Sequence, residues 1–289
     1  MTLTIRQALV QSGLVPIDAQ VLLAYVMANT RTWLAAHPER PLPSGEVARF
    51  FALARRRRDG EPIAYLTGTR EFWGLSLLVT HNVLIPRPET ETLVERALAR
   101  IPADRESSVL DLGTGSGAVA LALARERPQA RLVATDVSEA ALRVADANAR
   151  RLGIFNIEFV QADWYSELPL SLARPPFDVI VSNPPYIAAS DPHLGQGDLR
   201  YEPMPALTPG GDGLAALVTI VSGAAPRLTD DGWLLVEHGY DQQDAVRALF
   251  ESAGFAHLES ARDLAGIVRV CAGRKSAPIA PATPNVESS

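Results

Sequence analysis

The run Val109-Leu110-Asp111-Leu112-Gly113-Thr114-Gly115-Ser116-Gly117 narrows the folds open to this 289-residue chain more than any other feature. Four mostly apolar residues read as a short buried strand, and Ala118 to Arg125 reads as the helix that follows it. The glycines between them let the backbone turn sharply and approach a ligand closely. A second strand ends in Thr135-Asp136, about 20 residues past the turn, where a carboxylate can accept both hydroxyls of a ribose. Together these describe a nucleoside pocket at the carboxyl edge of a parallel sheet. Gly113, Gly115 and Ala118 also satisfy the G-x-G-x-x-G/A pattern of dinucleotide enzymes, so the turn alone leaves the nucleoside open. The acid at Asp111 suits a cationic ligand better than a pyrophosphate.

From Ser107 onward, short apolar runs alternate with longer helical segments, the rhythm of an α/β fold. The expected strands are Val109 to Leu112, Leu132 to Thr135, Ile157 to Val160, Val179 to Val181 and Trp233 to Val236. A helix from Glu139 to Leu152 is capped by Ser138 and stopped by Gly153. The first part of the chain reads differently. Thr4-Ile5-Arg6-Gln7 forms a capping box, a second helix is expected over Ala19 to Ala28, and Ser44 is expected to cap a third over Glu46 to Arg57. Arg55 to Arg58 then reads as a solvated helix end, where cations favour the negative end of the dipole. Between Glu71 and Leu84 a β-hairpin is expected, with Gly74 near its turn. These boundaries predict a helical domain over 1–70, a hairpin connector over 71–92, a catalytic domain over 93–274 and a disordered tail over 275–289.

Composition excludes several classes. A formal net charge of −6 and a pI near 5.5 argue against generic attraction to phosphate backbones, so no direct nucleic-acid partner is expected. The single cysteine, Cys271, can build neither a disulfide framework nor a cysteine-based zinc site. No apolar run reaches the roughly 18 residues of a membrane span, and the start lacks the basic-then-apolar pattern of a signal peptide. A cytoplasmic chain without a membrane partner is the expectation.

The chemistry is carried by Ser182-Asn183-Pro184-Pro185-Tyr186, after a strand expected to lie beside the first. Ligands bind open α/β sheets at such a switch point. Each proline biases the residue before it toward an extended conformation, so the loop is stiff before substrate arrives. An amide nitrogen is a weak nucleophile because its lone pair is delocalised, and it must be aligned to react. The Asn183 side-chain oxygen and the Pro184 carbonyl can each accept one N–H of an NH₂ group, stabilising charge that develops on the nitrogen, while Tyr186 supplies an aromatic wall. Neither a metal nor a histidine base is required, and His238 reads as structural.

The Asp-Leu-Gly-Thr-Gly-Ser-Gly form of the turn resembles the first motif of S-adenosylmethionine-dependent methyltransferases. With Asn183-Pro184-Pro185-Tyr186, the chain resembles the amino-group methyltransferases, and more closely the family of peptide chain release factor glutamine methyltransferases. The likeness extends to Glu61 through Gly68, Leu84 through Glu91, Tyr201-Glu202-Pro203 with Ala206-Leu207, Gly211-Asp212-Gly213-Leu214 and Glu237-His238-Gly239. It implies a Rossmann-like methyltransferase sheet of α/β class, joined by a β-hairpin to a small helical domain that docks a class 1 release factor. The implied reaction is methyl transfer to the amide nitrogen of the glutamine in a Gly-Gly-Gln loop. Gly113, Thr114, Gly115, Ser116 and Gly117 would hold S-adenosylmethionine, Asp136 its ribose and Trp164 its adenine side. Asn183 would touch cofactor and substrate, Pro184, Pro185 and Tyr186 would hold the glutamine, and Glu202 would brace the Asn183 loop. Sister enzymes acting on a ribosomal-protein glutamine share this loop, and DNA amino-methyltransferases also position an NH₂ but must extrude a base. An NAD-dependent dehydrogenase would need a hydride-transfer acid or base in the second half of the sheet, and none is evident.

Overall fold

The computed structural model describes residues 3–166, 168–169 and 176–276. It opens with five helices, α1 (Ile5–Gln11), α2 (Pro16–Val26), α3 (Arg31–Ala36), α4 (Ser44–Arg58) and α5 (Ile63–Thr67). The capping box on α1 is present, with Thr4 Oγ1 accepting from Gln7 N at 3.3 Å and Gln7 Oε1 accepting from Thr4 N at 3.0 Å. Ile5, Leu22, Leu23, Leu34 and Phe50 close a small core between these helices. Two boundaries differ from expectation. α2 begins at Pro16, whose fixed φ suits the first helical position, and ends before Ala28, which adopts a φ of +49°. Ser44 is the first residue of α4 and makes no capping bond, because Pro43 already sets the extended entry.

The α4 end is largely solvent-exposed, as expected, and three of its four arginines are also tied to neighbours. Arg56 grips Glu61 through Nε at 2.7 Å, Arg57 Nε reaches Asp18 at 2.7 Å, and Arg57 Nη1 reaches Asp198, far along the chain, at 3.0 Å. Arg58 donates to the Ser12 carbonyl. The hairpin follows directly, β1 (Thr69–Phe72) pairing antiparallel with β2 (Leu75–Leu78). It starts two residues before the expected Glu71, since Gly68 ends α5 in the left-handed region and turns the chain at once into a strand. Trp73 and Gly74 form its two-residue turn, both at positive φ. Leu75 and Leu77 of β2 pack into the core of the following domain.

After α6 (Glu91–Leu98) come β3 (Ser108–Leu112), α7 (Ala118–Glu126), β4 (Arg131–Asp136), α8 (Glu139–Leu152), β5 (Ile157–Gln161) and β6 (Phe177–Ser182). A short helix α9 (Met204–Leu207), α10 (Ala215–Ala224), β7 (Leu228–Glu237), α11 (Gln243–Ser252), β8 (Phe255–Arg262) and β9 (Val268–Lys275) complete the described chain. The seven-stranded sheet runs β5-β4-β3-β6-β7-β9-β8. Its first five strands are parallel, and β9 inserts antiparallel between β7 and β8. Apolar layers cover both faces, α7 on one side and α10 with α11 on the other. This is the α/β, Rossmann-like arrangement. β4 lies to one side of β3 and β6 to the other, so the switch point falls at the carboxyl ends of β3 and β6.

The expected tail is corrected at its start. Lys275 closes β9, and its Nζ donates to the Leu228 carbonyl at 2.9 Å, because β9 is sandwiched between two strands and its last residues are needed to pair with both. Residues 277–289 of that expected tail lie outside the described residues.

Candidate active site

At the switch point lies a cavity of about 230 Å³. Its floor is the glycine turn. Thr114 N donates to the Thr135 carbonyl at 2.8 Å, which ties the turn to β4, and Thr114 Oγ1 donates to Asp111 Oδ2 at 2.7 Å. Gly115 holds a φ of +58°, and a Cβ placed there would meet nothing within 4 Å. Its backbone therefore faces open space. Gly117 is different: at φ +83°, its added Cβ would sit 2.9 Å from Leu121 Cδ1 and 3.2 Å from Ala145 Cβ. It is glycine because the turn packs tightly against α7 and α8, and it does not line the cavity.

Asp136 ends β4 on the cavity wall. Oδ2 accepts from Gly115 N and Oδ1 from Ser138 N, each at 2.9 Å, so the carboxylate is fixed yet keeps lone pairs for further donors. Burial pushes its pKa up, and those two backbone N–H groups pull it back. Asp111 is more deeply enclosed, and burial lifts it to about 7 despite the Thr114 hydroxyl. Trp164 holds a φ of +51°, strained for a bulky residue, and its ring lies 3.4 Å from where a Gly113 Cβ would stand. One edge thus packs on the core while the side chain also lines the cavity.

β6 delivers the second motif. Ser182 Oγ donates to the Leu112 carbonyl at 2.7 Å and locks the end of β6 to that of β3, which puts Asn183 across the cavity from the turn. Asn183 Nδ2 donates to Thr90 Oγ1 at 3.0 Å, and Oδ1 has no partner among the described residues. Pro185 lines the cavity, whereas Pro184 is buried and Tyr186 stands behind the wall. The Tyr186 hydroxyl donates to Glu237 Oε1 at 3.0 Å and its carbonyl accepts from Gln242 Nε2 at 2.9 Å. Burial pushes this phenol well up, so it stays protonated.

Several wall residues were not placed at the site from the sequence, although some lie in segments that carry the family likeness. Asn82, Val83, Leu84 and Pro86 come from the connector, and Pro203, Pro205 and Ala206 from the segment at α9. Thr90 reaches Asn183 across 93 residues of chain, a distance no local pattern encodes. Glu202, expected to brace the Asn183 loop, instead accepts from Ile85 N at 3.0 Å and pairs with Arg87. It braces the connector, because the chain after β6 folds back over that wall before returning to the sheet. His238 is fully buried, its Nδ1 lies 2.8 Å from the Gly239 carbonyl, and burial lowers its pKa. It stays neutral and away from the cavity wall.

Residues 103–249 match the family model described as a methyltransferase domain, and residues 4–68 match the PrmC N-terminal domain. A release factor glutamine methyltransferase of Burkholderia pseudomallei (strain K96243) is 51% identical over 94% of this chain and 96% of its own length. The chain belongs to the release factor glutamine methyltransferase family. The protein of that name from Escherichia coli (strain K12) is 48% identical over 89% of this chain and 91% of its own. Among solved structures, a methyltransferase from Pyrococcus furiosus aligns with a TM-score of 0.52 at 16% identity, covering 77% of this chain and 98% of that one. The hMettl16 catalytic domain aligns with a TM-score of 0.56 at 16% identity, over 84% and 87%. At that identity both speak for the fold alone. No helix among the described residues is long and apolar enough to cross a membrane.

Proposed function

We propose that this methyltransferase transfers a methyl group from S-adenosylmethionine to the side-chain amide nitrogen of the glutamine in the Gly-Gly-Gln motif of class 1 release factors. The observation that carries this reading is Asn183, whose Nδ2 is committed to Thr90 and whose Oδ1 is left to accept an N–H at the cavity wall. Neutral amides need such an acceptor, since their nitrogen lone pair is delocalised and must be both aimed and freed. The cavity suits the cofactor on three counts: an open backbone at Gly115, a fixed carboxylate at Asp136 with acceptor capacity to spare, and an aromatic ring at Trp164. When bound, S-adenosylmethionine supplies a methyl group on a cationic sulfur. Asp111 and Asp136 place two acids by the turn, which favours a cation there.

The release factor is taken from the relatives' names together with the loop chemistry. The helical segment before Glu61 is assigned to docking it, which places the work in the cytoplasm where translation ends. Methyl-labelled cofactor offered with a class 1 release factor, a ribosomal-protein substrate or duplex DNA tests the reading. Label on the glutamine of the Gly-Gly-Gln loop is the expected result. Label only on the ribosomal protein or on DNA overturns it.

A further inference from the structure

Helix α8 turns one face toward the site, and only the start of that face touches the cavity. Ala141 lines it, Ala145 packs against Gly117 of the glycine turn, and Asn148 follows one helical turn later on the same face. Asn148 is fully buried and lies outside the cavity lining. Its Nδ2 donates to the Ser116 carbonyl and to the Leu78 carbonyl, each at 3.0 Å. Its Oδ1 accepts from Leu78 N at 2.6 Å. Both N–H groups and the oxygen of the amide are therefore committed to backbone partners.

The two partners belong to different sides of the site. Ser116 is part of the turn that forms the cavity floor, where Thr114 N is held by Thr135 and Gly115 N by Asp136. The Ser116 carbonyl is the point at which that turn is fastened to α8. Leu78 closes β2, and the chain beyond it supplies the wall residues Asn82, Val83 and Leu84. Bonded and non-bonded positions alternate along an antiparallel pair. Val79 N donates to the Gly68 carbonyl at 3.0 Å, so Leu78, opposite Thr69, stands at a non-bonded position and aims its N–H and C=O away from β1. Asn148 takes both, as a neighbouring strand would. We propose that Asn148 is a positioning residue for cofactor binding: one side-chain amide clamps the floor of the cavity to the connector that forms its wall, so that the two close on the ligand in a fixed register. The inference rests on the cofactor proposed above.

The clamp accepts few substitutes. An aspartate would set lone pairs against two carbonyls, and an alanine would leave those carbonyls and one N–H without partners. A longer amide has no room, because α8 lies so close to the turn that a Cβ at Gly117 would stand 3.2 Å from Ala145 Cβ. The coupling also runs both ways. A ligand that steadies the Ser116 peptide steadies Asn148, and through it the end of the hairpin.

Calorimetric titration of the full chain with S-adenosylmethionine compares the wild type with Asn148→Ala and Leu152→Ala. Leu152 packs on the apolar core at the far end of α8, so its loss loosens the helix without touching the clamp. Asn148→Ala should weaken the cofactor roughly tenfold, the scale of one hydrogen bond lost from a buried group, and Leu152→Ala should stay within about twofold. Amide exchange without ligand adds a second reading. Gly117 N–H, bonded to the Thr114 carbonyl at 2.9 Å, should exchange faster in Asn148→Ala and at the wild-type rate in Leu152→Ala. Wild-type affinity in Asn148→Ala, or equal losses in both variants, overturns the proposal. Should Asn148→Ala not fold, the wild-type chain decides. Saturating S-adenosylmethionine should slow exchange at Leu78 N–H, which is bonded to Asn148, at least about fivefold more than at Leu23 N–H in the helical core, and an equal change at both overturns it. A wild type that binds no S-adenosylmethionine, with Gly117 exchange still faster in Asn148→Ala alone, would sink the cofactor assignment and leave the clamp standing.

Discussion

Asn183 and Asp136 were both legible from spacing alone, one in a stiff proline loop and one at a strand end past a glycine turn. What spacing did not convey is how each is held. Asn183 hangs on Thr90, and Asp136 on the backbone of Gly115 and Ser138, contacts that exist only once β3, β4 and β6 lie side by side. This bears on substitution. Asn183→Ala removes the acceptor and should lower the single-turnover rate on the order of 10²- to 10³-fold, by analogy with the loss of one preorganised oxyanion-hole donor. Asn183→Asp should retain more activity, because Thr90 can turn its hydroxyl to donate to the new carboxylate and leave a second oxygen for the substrate. Equal rates for wild type and Asn183→Ala would refute the role. Asp136→Ala should weaken S-adenosylmethionine roughly 10- to 150-fold, the loss of two hydrogen bonds to a charged group at about 1.5 to 3 kcal/mol. Calorimetry returning an unchanged dissociation constant would place the ribose elsewhere.

The same contrast holds for whole elements. All five parallel strands were visible as apolar runs; β3, β4 and β6, buried on both faces, carry little else, while edge strand β5 is only half-buried and shows through its Ile157, Phe159 and Val160. β8 was not, because Phe255–Arg262 alternates with exposed polar residues and sits at the sheet edge, and neither was β9, whose apolar run is broken by Arg269, Gly273, Arg274 and Lys275 although the strand lies inside the sheet. Short α3 and α5 escaped for a related reason: six and five residues do not establish a period. The glycine turn was readable as a turn, but its three glycines serve different ends. Gly115 faces open space, while Gly117 is pressed against Leu121 and Ala145. Gly117→Ala therefore combines an unfavourable φ with a contact that must give, and it should destabilise the fold by about 1 to 3 kcal/mol. Gly115→Ala meets only the φ cost and should lose less stability. Urea unfolding of both variants, watched by tryptophan fluorescence, checks the order, and a Gly117→Ala midpoint above that of Gly115→Ala would contradict it.

Taken as a molecule, the chain joins its helical part to the rest through several contacts, three of which bear on the cavity. Arg57 spans Asp18 and Asp198, the Tyr201 hydroxyl donates to the Asp59 carbonyl at 2.8 Å, and Leu66 and Tyr65, neighbours on α5, belong to the helical core and to the core beneath the cavity wall respectively. The segment from Asp198 to Tyr201 leads into the wall residues Pro203, Pro205 and Ala206. The helices are thus connected to the cavity wall through this segment, on the side away from Asp136 and Trp164. Removing the residues before Glu61 should separate two activities. Tyr65 keeps its place, its hydroxyl donating to the Val83 carbonyl at 2.7 Å, so the wall and the glycine turn persist. S-adenosylmethionine affinity should then stay within about threefold of wild type, a change below about 0.7 kcal/mol. On the proposed docking role of the helices, methylation of an intact release factor should fall at least 100-fold, because that surface and the tether of the 198–206 segment are lost together. Calorimetry with the cofactor and labelling of the intact factor, run on one preparation, measure both. Full methylation by the truncated chain would show that the catalytic sheet alone recognises its partner, and loss of cofactor binding would show that the helices hold up the pocket itself.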